Sequence, residues 1–207
     1  MGTLSSFDVV DYIIGYDLEY YFETGTGVGE CIEFALQYPF KEFYSVDIDE
    51  DLIEAARQKF ASTNKKLNLF TGTSEDILSE YVPTLPKGSP TMFFLDAHFP
   101  GADFQKMSYE ESIRTYKEIA FPLKEEINII QSVRDTSKDV IIIDDWRLYE
   151  PGNVYEDNST WQYSWLQDEL DIITNSQFIY DAFENTHNFK KDYRNQGYLI
   201  ITPKEKR

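Results

Sequence analysis

Cysteine is almost absent from this chain: Cys31 is the single thiol in 207 residues. One thiol excludes an intrachain disulfide framework, and a chain of this length can form a core without disulfides or a structural metal. Cys31 itself reads as a small core residue on the helix after a glycine loop. Histidine is scarce too, with only His98 and His187. Iron centres that favour imidazole ligands are therefore poorly served. Basic residues are few, 19 Lys and Arg against 37 Asp and Glu, for a formal net charge of −18. Such a surplus repels phosphate backbones, and Lys65-Lys66 and Lys190-Lys191 are isolated pairs, so nucleic acid is not an expected partner. No apolar run approaches about 18 residues, and the N-terminus lacks a charged-then-apolar pattern. Neither a membrane span nor a signal peptide is expected, and the expected compartment is the cytoplasm. Repeats and linkers are also missing, so residues 1–207 are expected to form a single domain.

What is present begins with Tyr21 to Glu30, Y-F-E-T-G-T-G-V-G-E: an apolar run, the acid Glu23, Thr24, then Gly25, Gly27 and Gly29. Helical periodicity follows from Cys31 to Leu36. Strand, glycine turn and helix make the first unit of a nucleotide-binding α/β fold. The spacing is G-x-G-x-G rather than G-x-G-x-x-G, and Glu23 places a carboxylate where a pyrophosphate would be repelled. A ligand carrying ammonium and sulfonium groups, such as S-adenosylmethionine, suits it better. The plain alternative is a tight turn with an acid near a helix N-terminus.

Phe43 to Asp49 reads as a second buried strand ending in acid, and Asp47 lies 22 residues beyond Gly25. An acid about 20 residues after the glycines can accept hydrogen bonds from ribose hydroxyls. Asp49, Glu50 and Asp51 read as cap and first-turn acids of a helix over Leu52 to Phe60. Further strands are expected at Leu67–Thr71, Met92–Leu95, Val140–Ile143, Gln177–Tyr180 and Gly197–Thr202, with helices within Ser108–Arg134, broken at Pro122, and over Trp161–Thr174. The expected fold is α/β, a Rossmann-like three-layer sandwich around a seven-stranded, mostly parallel sheet with an antiparallel last strand.

These segments, E-T-G-T-G-V-G, then Y-S-V-D-I-D-E-D-L and L-F-T-G-T-S-E-D-I-L, resemble the class I S-adenosylmethionine-dependent methyltransferases over roughly Glu19 to Ile143. The resemblance implies that Glu23, Thr24 and the three glycines hold the methionine part and that Asp47 and Ile48 hold the nucleoside. It also implies that Thr73 and Ser74 flank the adenine. The family's usual Gly-Asp pair there is Gly72-Thr73 in this chain.

Two strand ends carry the candidate chemistry: Leu95-Asp96-Ala97-His98 and Ile143-Asp144-Asp145-Trp146. Clustered carboxylates need a cation or a retained proton. Oxygen ligands of this kind suit Mg²⁺, and His98, with an ordinary pKa near 6.5, suits base work. The dull alternatives are Asp96 lining the methionine pocket as a cofactor-binding residue without a metal, Asp144 or Asp145 as capping acids, and His98 bonded to backbone. The pattern is similar to the macrocin and mycinamicin type of sugar O-methyltransferase. That likeness implies Asp96, Asp144 and Asp145 as metal ligands and His98, with Asp96, as catalytic residues. The acid-to-histidine spacing is shorter here and the chain is smaller than in those enzymes.

The expected function is therefore methyl transfer to oxygen of a small hydroxylated acceptor such as a sugar, with Mg²⁺ as a candidate helper. No Asn/Asp-Pro-Pro-aromatic signature of amino-group methylation is present; Asp96-Ala97-His98-Phe99 stands in its place. The alternatives are a non-catalytic S-adenosylmethionine-binding module and a metal-dependent hydroxylase on the same scaffold. Oligomeric state is left open, with a homodimer as one option. Trp146, Tyr149, Tyr155, Trp161, Tyr163 and Trp165 are candidates to stack on an acceptor, or core aromatics. Pro151–Thr160 and Glu184–Asn195 read as polar loops, and His187 as a surface residue.

Overall fold

Alternation along the central strands decides the architecture. The computed structural model describes residues 3–150 and 175–205. Strands β1 (Tyr20–Thr24), β2 (Glu42–Asp47), β3 (Leu67–Thr71), β4 (Thr91–Leu95), β5 (Val140–Ile143), β6 (His187–Asp192) and β7 (Tyr198–Pro203) form one sheet in the order β3-β2-β1-β4-β5-β7-β6. The first five are parallel, and β7 runs antiparallel to both β5 and β6. Strands covered on both faces show unbroken apolar runs, and β4 (TMFFL) and β5 (VIII) are buried throughout.

Each strand sends alternate residues to opposite faces. Phe22, Val46, Phe93, Ile141 and Leu199 face one helical layer. That layer comprises α4 (Ser74–Tyr81), α6 (Leu123–Val133) and α7 (Gln177–Phe183). Tyr21, Phe43, Phe94, Ile142 and Ile200 face the other, built on α1 (Val9–Tyr16), α2 (Glu30–Ala35) and α3 (Glu50–Lys59). A further helix, α5 (Tyr109–Tyr116), precedes α6, and the break between them falls around Pro122 as expected. No helix among the described residues is long and apolar enough to cross a membrane. The chain reverses its direction of travel across the sheet between β1 and β4, so the crevice outside their carboxyl ends is the place where such a fold binds ligands.

Three expectations are corrected, and of the two readings of Trp146 and Tyr149 the core one holds. Gln177–Tyr180 is not a strand but the start of α7, because Ile179 and Phe183 are four residues apart and both bury against the α6 layer. A four-residue apolar run does not distinguish the two states. The polar stretch Glu184–Asn195 is not a loop throughout; it supplies β6, whose exposed alternate residues are those of an edge strand. His187 is buried rather than at the surface: its Nε2 lies 3.1 Å from the Asp139 carbonyl and its ring packs edge-on against Phe183. Trp146 and Tyr149 are core side chains in a 3-10 turn after β5. The expected Trp161–Thr174 helix and the Pro151–Thr160 loop, with Tyr155, Tyr163 and Trp165, lie outside the described residues.

Phe93 sits at the centre of one face, with its ring 6.0 Å from that of Phe22 and the Arg134 guanidinium 5.7 Å away over it. Phe93→Ala is expected to cost about 3–5 kcal/mol in urea unfolding. A loss under about 1 kcal/mol would mean that this face repacks freely.

Candidate active site

At the carboxyl ends of β1, β2 and β4 lies an open cleft. Its floor is the glycine loop. Gly25 has φ +82°, and a Cβ there would stand 2.5 Å from the Asp96 carbonyl oxygen, so only glycine lets the two backbones meet. The loop is tied to the next strand as well, since Gly25 N and Thr26 N both donate to the Val46 carbonyl, at 2.9 and 3.1 Å. Asp47 ends β2 with its carboxylate between two backbone donors, Gly27 N at 2.9 Å to Oδ2 and Asp49 N at 2.9 Å to Oδ1. Burial raises its pKa, and those two donors work against the rise. Gly25, Gly27, Asp47, Ile48, Thr73 and Ser74 all line the cleft. Asp49 caps α3, accepting from Asp51 N, and Thr73 caps α4, accepting from Asp76 N.

Glu23 and Thr24 are placed differently from the mouth of the turn. Both are fully buried beneath the loop and neither is in the cleft wall. Glu23 accepts from Tyr21 Oη at 2.7 Å and from Ser45 Oγ at 2.6 Å, and Ser45 Oγ in turn meets Thr26 Oγ1 at 2.6 Å. Burial pushes the Glu23 carboxyl up to about 8, despite those two donors. Glu126 of α6 is a second buried acid, pushed up by burial to about 7 against hydrogen bonds from Ser74 and Thr24. Sequence reading missed it because an acid inside a helix carries no motif.

The side of the cleft nearer β4 and β5 is organised around His98. Its Nε2 lies 2.7 Å from Asp145 Oδ2 and its Nδ1 3.4 Å from Asp96 Oδ1, with Asp103 Oδ2 4.0 Å from Nε2. Burial works against a charged imidazole, but Asp145, Asp96 and Asp103 overcome it and raise His98 to about 10. At neutral pH His98 is thus an imidazolium rather than the free base its ordinary pKa implied. Asp96 is held well above the usual carboxylate range by burial and by Asp144. Asp145 reaches His98 because its backbone is left-handed, φ +50°, which turns it away from the alternation of β5.

Asp144 is absent from the cleft wall; its Oδ1 accepts from Asp145 N at 2.7 Å. Among the described residues no group of three or more His, Cys, Asp or Glu side chains is arranged to hold a metal. The expected Mg²⁺ site at Asp96, Asp144 and Asp145 is thus without support, and the cation placed among these acids is His98. Phe99, Asp103, Phe104, Tyr109 and Gln196 also line the cleft and were not anticipated. Nothing in the sequence around them separates them from ordinary loop residues.

The buried acids give stability a definite pH dependence. Glu23 and Glu126 hold their protons to about 8 and about 7, well above the ordinary value of 4.5. The folded state binds more protons than the unfolded chain across this window, so the contribution is complete below 4.5 and is lost as pH rises through 7 to 8. Melting temperature is expected to fall steadily from pH 5 to pH 8.5, and Glu126→Gln should flatten that slope. A profile that rises over the same range would overturn the assignment.

No protein-family model matches the chain, and no curated protein matches it. Solved structures do resemble it. One is the SAH-bound Podospora anserina methyltransferase PaMTH1, with TM-score 0.56 and 15% identity over 95% of this chain and 76% of that one. Another is the O-methyltransferase from Bacillus cereus in complex with SAH, with TM-score 0.54 and 16% identity over 93% and 77%. At these identities the likeness is one of fold: the chain has the seven-stranded, three-layer α/β architecture of these methyltransferases.

Proposed function

We propose that this chain transfers a methyl group from S-adenosylmethionine to an oxygen of a small hydroxylated acceptor, with sugars the first class to try. One observation carries the reading: a single cleft holds both the glycine loop bonded to Asp47 and the His98–Asp145 pair. A binding module would need only the first. The SAH held by the Podospora and Bacillus proteins of the same fold supports the choice of cofactor.

In this reading Asp47 accepts from the ribose hydroxyls, Ile48, Thr73 and Ser74 flank the base, and Gly25 and Gly27 offer backbone to the methionine part. Gly29, outside the cleft wall and packed against Phe60, starts α2. Glu23 and Thr24 hold the loop from beneath. The bound cofactor supplies an electrophilic methyl group on a sulfonium. As the carbon–sulfur bond breaks and the carbon–oxygen bond forms, the acceptor hydroxyl must lose its proton. Neutral His98 takes it, oriented by Asp145, which then stabilises the imidazolium. The resting histidine is already protonated, so it must first release a proton, and the positive sulfonium favours that release by repulsion. Asp145 holds Nε2–H, so Nδ1, only loosely approached by Asp96 at 3.4 Å, is the nitrogen that takes the proton. Asp96 lies beside it at the reacting end of the ring. No metal step is derived, because the three aspartates do not gather as ligands.

The reading separates two substitutions. Asp47→Ala should weaken S-adenosylhomocysteine binding by about ten- to a hundredfold in calorimetry, the range for hydrogen bonds to a charged group. His98→Gln should leave that affinity nearly intact and lower methyl transfer to acceptor by about 10²–10⁴. Wild-type binding without transfer to any hydroxylated acceptor would favour the non-catalytic module. No binding at all would sink the methyltransferase reading.

A further inference from the structure

The segment that leaves β4 crosses from the acceptor side of the cleft to the ribose side. Left-handed backbone at Phe99, Gly101 and Gln105 folds it back on itself. Its base is fixed: Phe99 N donates to the Ala120 carbonyl at 3.1 Å, and Ser112 Oγ donates to the Pro100 carbonyl at 3.0 Å. Its far end reaches over the glycine loop. Phe104 lies so close to Gly27 that a Cβ there would stand 3.0 Å from its Cζ. Two residues on, Lys106 Nζ bridges Asp49 at 2.5 Å and Asp51 at 3.0 Å. Asp49 is also the residue whose backbone N–H donates to Asp47 Oδ1. The near end carries Asp103, which accepts from Tyr109 Oη at 2.6 Å and stands 4.0 Å from His98. One short segment thus touches the histidine cluster, the glycine loop and the loop that follows Asp47.

We propose that Phe104 and Lys106 are positioning residues of the cofactor site, carried on a strap that releases Asp49 and Asp51 to admit S-adenosylmethionine and closes over it again. The inference rests on the functional reading above and adds to it. Phe104 covers backbone that the cofactor needs, so the ring must move when the ligand arrives. Lys106 is a half-exposed latch rather than a buried pair, and exposed pairs open readily and weaken with salt. Because Asp103 travels on the same strap, closing over the cofactor also completes the acid surroundings of His98.

The test is S-adenosylhomocysteine binding, measured as affinity by calorimetry and as release rate by rapid dilution, at low and high salt. Lys106→Met should weaken binding about three- to fivefold, the scale of an exposed ion pair. It should also remove most of the salt dependence of release, and Lys106→Arg should restore both. Asp51→Asn, which changes a highly exposed partner, should shift release in the same direction as Lys106→Met without altering the fold. Phe104→Ala should speed release about tenfold, since affinity changes of this kind appear mainly in the off-rate. A wild-type protein that binds while Lys106→Met and Asp51→Asn match it in affinity, release and salt response overturns the strap and leaves the methyltransferase reading standing. A wild-type protein that does not bind overturns both.

Discussion

The close approach of Gly25 to the Asp96 backbone fixes the geometry on which the rest of the cleft depends. It lies where β1 and β4 part, at the reversal of the sheet, and only a residue without a side chain allows it. From there backbone hydrogen bonds lock every strand end to its neighbour. Asp96 N donates to the Thr24 carbonyl at 3.1 Å, Gly25 N to Val46 at 2.9 Å, and Asp144 N to Leu95 at 3.0 Å. The residues placed in the site thus lie at, or within three residues of, the ends of a rigid parallel ladder. Asp47, Asp96 and Asp145 hold their positions because the strands that end in them cannot shift independently.

That rigidity gathers negative charge in poorly solvated space, and the chain handles it in three ways. Glu23 and Glu126 retain protons and serve as hydrogen-bonded struts below the loop. Asp47 receives backbone donors. The acids at the ends of β4 and β5 receive an internal cation, the His98 imidazolium. A divalent metal would be a fourth solution, but His98 already occupies the electrostatic role that the acids create. Desolvation penalises each charge separately, while the histidine and its carboxylates offset one another only as a group. The protonation state of His98 is therefore a property of the cluster, and removing one aspartate changes the basicity of the ring.

Legibility in the sequence tracked how local the determinants are. The glycine loop, Asp47 and the capping acids of α3 follow one another along the chain, and fixed spacing ties each to its role. Apolar runs placed β4 and β5, since strands covered on both faces need no alternation. The second half resisted for physical reasons. Gln177–Phe183 is too short for periodicity to separate helix from strand, and its state is decided by packing on α6. β6 is an edge strand, so its composition is that of a surface loop. His98 was found, but its charge state was not, because that depends on Asp145, 47 residues away, and on a left-handed turn that sequence does not announce.

The same distinction separates the two ends of the cleft. The end around the glycine loop is built from β1, β2, β3 and the turns that follow them, a contiguous stretch of chain. The end around His98 is assembled, among the described residues, from distant pieces. The near part of the strap after β4 brings Asp103, and the turn after β5 brings Asp145. The β6–β7 hairpin brings Gln196, docked by Trp146 N to the Gly197 carbonyl at 2.9 Å and Arg147 N to the Gln196 carbonyl at 3.1 Å. A chemistry shared by many proteins can be written in a short local motif, whereas selection among acceptors needs surfaces that can be exchanged piece by piece. The contacts at the His98 end thus join segments far apart in the chain, and among the described residues the strap reaches both ends.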